Sequence, residues 1–73
     1  MKEGFEIKTM GFGELAQLYN PSIKPESASN ALRRWINNNH TLSNDLRTAG
    51  YKKYSKVLTP LQVRILIFNL GEP

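Results

Sequence analysis

Residues 25–37, PESASNALRRWIN, are the segment from which the architecture of this chain follows. Pro25 suits the first position of a helix, where a missing N–H costs nothing, and the Glu26 carboxylate is favoured near the positive helix N-terminus. Apolar residues recur at helical spacing: Ala28, Ala31, Leu32, Trp35 and Ile36. The other side is polar, so we expect an amphipathic helix with one face on the core and one face outward.

A shorter helix is predicted before it. Gly11 and Gly13 end the extended segment that precedes them, and residues 15–19 then place apolar side chains at helical spacing. Pro21 lacks an N–H and disfavours a helical Asn20, so the chain turns there. Two short helices joined by a turn form a helix-turn-helix, in which a small residue such as Ala16 permits a close crossing.

Two extended segments flank the helices. Residues 5–10, FEIKTM, alternate apolar and polar side chains, which predicts a half-buried strand. Residues 51–58, YKKYSKVL, are predicted to be extended and basic. We expect the end of this second segment to pair with the first strand in a small sheet.

Two more helices complete the prediction. A third helix should run from Thr41 to a cap at Gly50. The motif TPLQ at residues 59–62 is a capping box with proline at the first position, and it predicts a helix over 61–70 that stops at Gly71. This last helix is apolar almost all round. Either part of it faces another protein chain, or the first strand and the second helix cover it.

The predicted fold class is therefore α+β and mostly helical, a winged-helix-like helix-turn-helix with about four short helices and a small two-stranded sheet. A length of 73 residues and a mass of 8.3 kDa fit one domain over 1–73. The absence of cysteine excludes disulfides and thiolate metal sites, and fits the cytoplasm as location. No apolar run approaches the roughly 20 residues that span a bilayer, so no membrane association is expected.

Catalysis is not expected from this composition. The chain has one His, one Asp and no Cys, and it contains neither a nucleophile elbow nor a glycine-rich phosphate loop. An active site needs several convergent titratable groups. We therefore predict a protein that is not an enzyme and that has no metal, no cofactor and no small-molecule substrate.

Charge indicates a different kind of partner. Residues 31–64 carry seven basic residues against one acidic residue, a net charge of +6. Arg, Asn and Ser on the second helix suit base edges, while further basic groups suit phosphates. The candidate DNA-binding residues are Ser27, Ser29, Asn30 and Arg33 as base readers, and Arg34, Asn37, Lys52, Lys53, Tyr54 and Lys56 as backbone contacts.

Four motifs carry a family resemblance: GELA at 13–16, LRRW at 32–35, RTAGYKKYS at 47–55 and TPLQV at 59–63. They resemble the N-terminal winged helix-turn-helix of MerR-type regulators and excisionases. This resemblance implies that the first motif opens the first helix, the second ends the recognition helix, and the third forms the wing. The whole chain, including its ending LGEP, also resembles a short bacterial family, domain of unknown function 4248, which implies no activity.

Two hypotheses for function follow. The first is a small protein that binds double-stranded DNA, of accessory or transcriptional-regulator type, acting as a homodimer or with a protein partner. The alternative is a protein-interaction adaptor that docks another chain through residues 61–70 and does not bind DNA.

Overall fold

The computed structural model describes residues 5–53 and 55–73. Its elements in chain order are β1 (Met10–Gly11), α1 (Phe12–Tyr19), α2 (Pro25–Asn37), α3 (His40–Thr48), β2 (Val57–Leu58) and α4 (Pro60–Leu70). Four helices and one two-stranded antiparallel sheet in this described part confirm the mostly helical α+β class.

The sheet is shorter than predicted and begins later. Met10 pairs with Leu58 and Gly11 with Val57, whereas residues 5–9 form no strand. The prediction of a strand over 5–10 was therefore wrong for its first five residues. Continuing the antiparallel register backwards would pair residues 9 and 8 with 59 and 60, which form the start of α4. Pro60 has no N–H to offer a ladder, so the pairing cannot extend.

The first two helices pack against each other. α1 and α2 pack together through small and branched residues that are fully buried: Leu15 and Ala16 on α1, Ala28 and Leu32 on α2. Residues 20–24 connect them, and the Gln17 side chain donates to the carbonyls of Asn20 (3.1 Å) and Ile23 (2.7 Å). α2 begins at Pro25 and ends at Asn37, as the sequence predicts.

The third helix starts one residue earlier than predicted. Asn39 is its N-cap, and its side-chain oxygen accepts the N–H of Leu42 at 3.0 Å. A side-chain acceptor at this position satisfies a helix donor that has no backbone partner, which is why asparagine is favoured there. At the other end Gly50 has φ of 91°. That conformation favours glycine and confirms Gly50 as the stop of α3.

α4 begins at the predicted capping box. Thr59 Oγ1 accepts the Gln62 N–H (3.2 Å), and Gln62 Oε1 accepts the Thr59 N–H (3.0 Å). The Gln62 side chain also donates from Nε2 to the Ala49 carbonyl at 3.0 Å, which ties the start of α4 to the end of α3. Gln62 is 4% exposed and is the one buried polar residue among those described.

The core contains at least one apolar residue from every element. Its buried members are Met10, Phe12, Leu15, Ala16, Ala28, Leu32, Ile36, Leu42, Leu46, Leu58, Val63 and Leu66. α4 packs on α3 and β2. The Tyr19 hydroxyl of α1 donates to the carbonyl of Gly71, the residue that follows α4. Among residues 5–53 and 55–73, no helix combines the length and apolar character needed to cross a bilayer.

Gln62→Met should destabilise the fold markedly. The substitution keeps the length of the side chain but leaves the Ala49 carbonyl and the Thr59 N–H without their partners. A buried polar group without a hydrogen bond costs about 1–3 kcal/mol. We expect the free energy of unfolding in urea to fall by that amount. Asn44→Met, at an exposed polar residue of α3, is the control and should cost about 0.5 kcal/mol or less.

Tyr19 should make the fold sensitive to alkali. Burial, with a smaller effect of the Glu72 charge, raises the pKa of Tyr19 to about 12, from 10.0. A folded-state pKa above the unfolded value means that stability is complete below pH 10 and is lost as pH rises from 10 towards 12. Because burial raises the pKa of Tyr51 as well, the titration is made in a Tyr51→Phe background, where absorbance should show a late tyrosinate step that the further change Tyr19→Phe removes. A late step that persists in the double variant would contradict this assignment.

Candidate nucleic-acid interface

Arg33 is half-buried at the edge of the polar side of α2, where it contacts Phe12 and Asn30. Its guanidinium carbon lies 5.0 Å from the centroid of the Phe12 ring. Nη1 donates to Asn30 Oδ1 at 3.1 Å, one helical turn earlier. Nε is buried and has no hydrogen-bond partner among the described residues. A buried donor without a partner is costly, and because this nitrogen is shielded from solvent it is not itself a contact for a ligand.

The ring under Arg33 is itself supported. Phe12 and Tyr51 stack with centroids 6.3 Å apart and an interplanar angle of 25°. The Tyr51 N–H donates to the Leu46 carbonyl at 2.9 Å, which anchors the chain after α3. Burial raises the pKa of Tyr51, and the charge of Arg33 counteracts part of that rise. The aromatic pair thus joins the start of α1, the middle of α2 and the segment after α3.

A cleft of about 300 Å³ lies on one side of Arg33. α2, α3 and the segment after α3 contribute its lining residues, which are Arg33, Ile36, Asn37, Ser43, Arg47, Tyr51 and Lys53. Three of them are cations, and none of them is acidic. The cleft therefore concentrates positive charge between two helices, an arrangement that attracts anions.

A second cleft, also of about 300 Å³, lies on the other side of the same residue. Its lining residues are Phe12, Gly13, Ser29, Arg33, Ser55 and Lys56. Because Arg33 lines both clefts, they adjoin, and together we call them the basic groove. Two bonds between residues 52 and 55 shape its loop side: Ser55 N–H to the Lys52 carbonyl (2.9 Å) and Lys52 N–H to Ser55 Oγ (3.1 Å).

The structure brings half of the predicted DNA-binding residues to this groove. Those lining it are Ser29, Arg33, Asn37, Lys53 and Lys56. Asn30 is bonded to Arg33, and Lys52 is exposed on the loop beside the groove. Ser27 and Arg34 are exposed on α2 but lie about 100–120° further round the helix than Arg33, away from the groove. Tyr54 lies outside the described residues.

Sequence reasoning missed two residues of α3, Ser43 and Arg47. Both line the first cleft opposite Arg33 and Asn37. The signal was their spacing of four, which places both on one side of a helix, next to the apolar stripe of Leu42 and Leu46. The pattern alone did not show which neighbouring element that side faces.

The chemistry of the groove is that of an anion site. Its side chains are mostly hydrogen-bond donors, and an arginine with free donors suits phosphate oxygens in particular. Among the described residues, no group of three or more His, Cys, Asp or Glu side chains is placed to hold a metal ion.

The structure thus defines a small, mostly helical α+β domain with a basic groove between its second helix, its third helix and the loop after it. A family model, Domain of unknown function (DUF4248), matches residues 6–73, and the chain belongs to that family. No curated protein and no solved structure matches the chain.

The contact between Arg33 and Phe12 should be measurable in a double-mutant cycle. A cation within about 6 Å of a ring contributes about 0.5–1 kcal/mol at an exposed site. We expect Phe12→Leu and Arg33→Met together to cost less than the sum of the single changes, by that amount, in urea unfolding. Strictly additive effects would show that the guanidinium gains nothing from the ring.

Proposed function

We propose that this protein binds double-stranded DNA through the basic groove. The observation that carries the proposal is the place of Arg33, which lines both clefts and rests on the Phe12 ring. Two helices and a loop contribute cations to the same surface. A continuous row of cations with interspersed polar side chains is the electrostatic footprint of a nucleic-acid binder.

The chemistry of each side chain indicates which part of a duplex it would contact. Arg47, Lys53 and Lys56 surround α2 and are suited to phosphates, which position a duplex. On α2, Ser29 and Arg33 carry groups that hydrogen-bond base edges in a major groove. A single small module buries only about 600–1,000 Å² on DNA. We therefore expect weak binding by one copy and a need for a second copy or a partner.

The order of elements supports the same proposal. We assign α1 and α2, with the five-residue connection 20–24, to the helix-turn-helix pair that the MerR-like resemblance implies, and the basic segment after α3 to its wing. In this assignment α2 is the recognition helix. The inserted α3 adds Arg47 to the basic groove. The proposed role is that of a DNA-binding accessory protein or transcriptional regulator.

Binding should depend steeply on salt. Four cations line the groove: Arg33, Arg47, Lys53 and Lys56. Each phosphate that is neutralised contributes about 0.9 to the slope of log affinity against log salt. We expect a slope of about −3.6, which is a loss of about 150-fold in affinity between 50 and 200 mM salt. Fluorescence anisotropy with a labelled random duplex measures it. No binding at 50 mM salt would contradict the proposal and favour the adaptor hypothesis.

Neighbouring arginines provide a matched test of the surface. Arg33→Ala and Arg47→Ala should each weaken binding and lower the slope by about one. Arg34→Ala removes the same charge from the far side of α2 and should change affinity by less than about threefold. Because Arg47 is exposed, its loss should leave the melting temperature unchanged. Equal effects of Arg34→Ala and Arg47→Ala would show that net charge, not the groove, attracts DNA.

A further inference from the structure

α4 carries an apolar stripe on its outer side. Phe68 is 88% exposed and Leu61 is 52% exposed, with half-buried Ile65 between them. Their spacing of four and three places all three on one side of the helix. A phenylalanine with nearly its whole ring in water is unfavourable by about 1.5–3 kcal/mol relative to burial.

The same helix borders an apolar depression. A groove of about 240 Å³ lies between α4 and α3. Its walls are Leu61 and Ile65 on α4, Asp45 and Thr48 on α3, and Ala49 directly after α3. Along α4 the groove extends from about one helical turn to about two helical turns from Phe68, since three residues rise about 4.5 Å and seven about 10.5 Å. α4 therefore carries an exposed aromatic ring and also forms one wall of an apolar groove.

We propose that two copies of this chain pair through α4, with the Phe68 ring of each copy in the Leu61–Ile65 groove of the other. Two antiparallel α4 helices, centred between residues 64 and 65, place position 68 of one copy opposite position 61 of its mate. The reverse contact is then made at the other end. This is the isologous arrangement of a two-fold dimer, in which one patch complements itself.

The area available favours a weak dimer. A buried phenylalanine removes about 150–250 Å² from water, so two rings and the groove walls they cover bury about 600–1,000 Å² in total. Stable specific interfaces bury about 1,200–2,000 Å². The pairing should therefore populate at high protein concentration only. A net charge of +4 on each copy opposes association, so added salt should strengthen the dimer.

The proposed interface leaves the basic groove accessible. On α3, Ser43 and Arg47 line the basic groove, whereas Asp45 and Thr48 line the apolar one. These pairs lie about 150° apart around the helix. The dimer does not rest on DNA binding, and the two respond to salt in opposite directions, so failure of one is distinguishable from failure of the other.

Sedimentation velocity over about 10 µM to 1 mM chain, at low and high salt, tests the dimer. We expect the sedimentation coefficient to rise with concentration, and more so at high salt. Phe68→Glu should raise the dissociation constant by more than about 30-fold. Thr48→Arg, which obstructs the groove from α3, should do the same. Ile23→Glu makes the same kind of change at an exposed apolar residue outside α4 and should have no effect.

Disulfide trapping tests the register. The chain has no cysteine, so Arg64→Cys introduces a single thiol beside the two-fold axis. Oxidation should link two copies through position 64, whereas Asn44→Cys on the exposed side of α3 should give little dimer. A chain that stays monomeric at the highest concentration, a dimer that tolerates Phe68→Glu, or a monomer whose stripe binds only an unrelated protein would overturn the proposal.

Discussion

The hydrogen bonds of Gln62 are the constraint on which the arrangement of the second half of the chain depends. One side chain completes the capping box of α4 with Thr59 and also bonds the Ala49 carbonyl at the end of α3. Because the residue is buried, none of these groups can turn to water instead. The angle at which α4 leaves the sheet and the place where α3 stops are thereby fixed together. The groove between α3 and α4 and the position of the apolar stripe of α4 follow from this arrangement of the two helices.

The first half of the chain is organised around Arg33 in a comparable way. Its guanidinium lies over Phe12, whose other neighbour is Tyr51, so a charged side chain from α2 takes part in packing between α1 and the loop after α3. Packing limits the rotamers of a long, flexible side chain before any ligand arrives. An arginine held in this way loses little entropy on meeting a phosphate, which is consistent with the proposed role of the groove.

Local signals in the sequence predicted most of the fold. Pro25, the Thr59–Gln62 capping box and Gly50 each act within one turn of chain, and the helices begin or end where these residues indicate. The first strand was misplaced because its length depends on its partner: β2 ends where the cap of α4 begins, and alternation within residues 5–9 carries no information about that. Pairing depends on two segments, whereas the alternation of apolar and polar residues describes only one of them.

The candidate site was predictable to a smaller extent for the same reason. Basic and polar residues of α2 were recognisable from composition and periodicity, but which of them face a groove depends on the neighbouring helix. Arg33 and Asn37 face α3, whereas Arg34 lies beyond them. Arg47 became part of the surface only because α3 turns its side toward α2. The bond from Gln62 to Ala49 links residues thirteen apart in sequence and had no local signature.

The short connection between α2 and α3 limits how far the basic groove can change its shape. Only Asn38 and Asn39 connect the helices, and their N–H groups are bonded to the carbonyls of Arg34 (3.0 Å) and Ile36 (3.2 Å). This short connection fixes the separation between the two helices that carry Arg33 and Arg47. In the proposed role, a polyanion whose charges match that separation would bind without a change in the backbone of the protein, whereas one with a different repeat would have to distort.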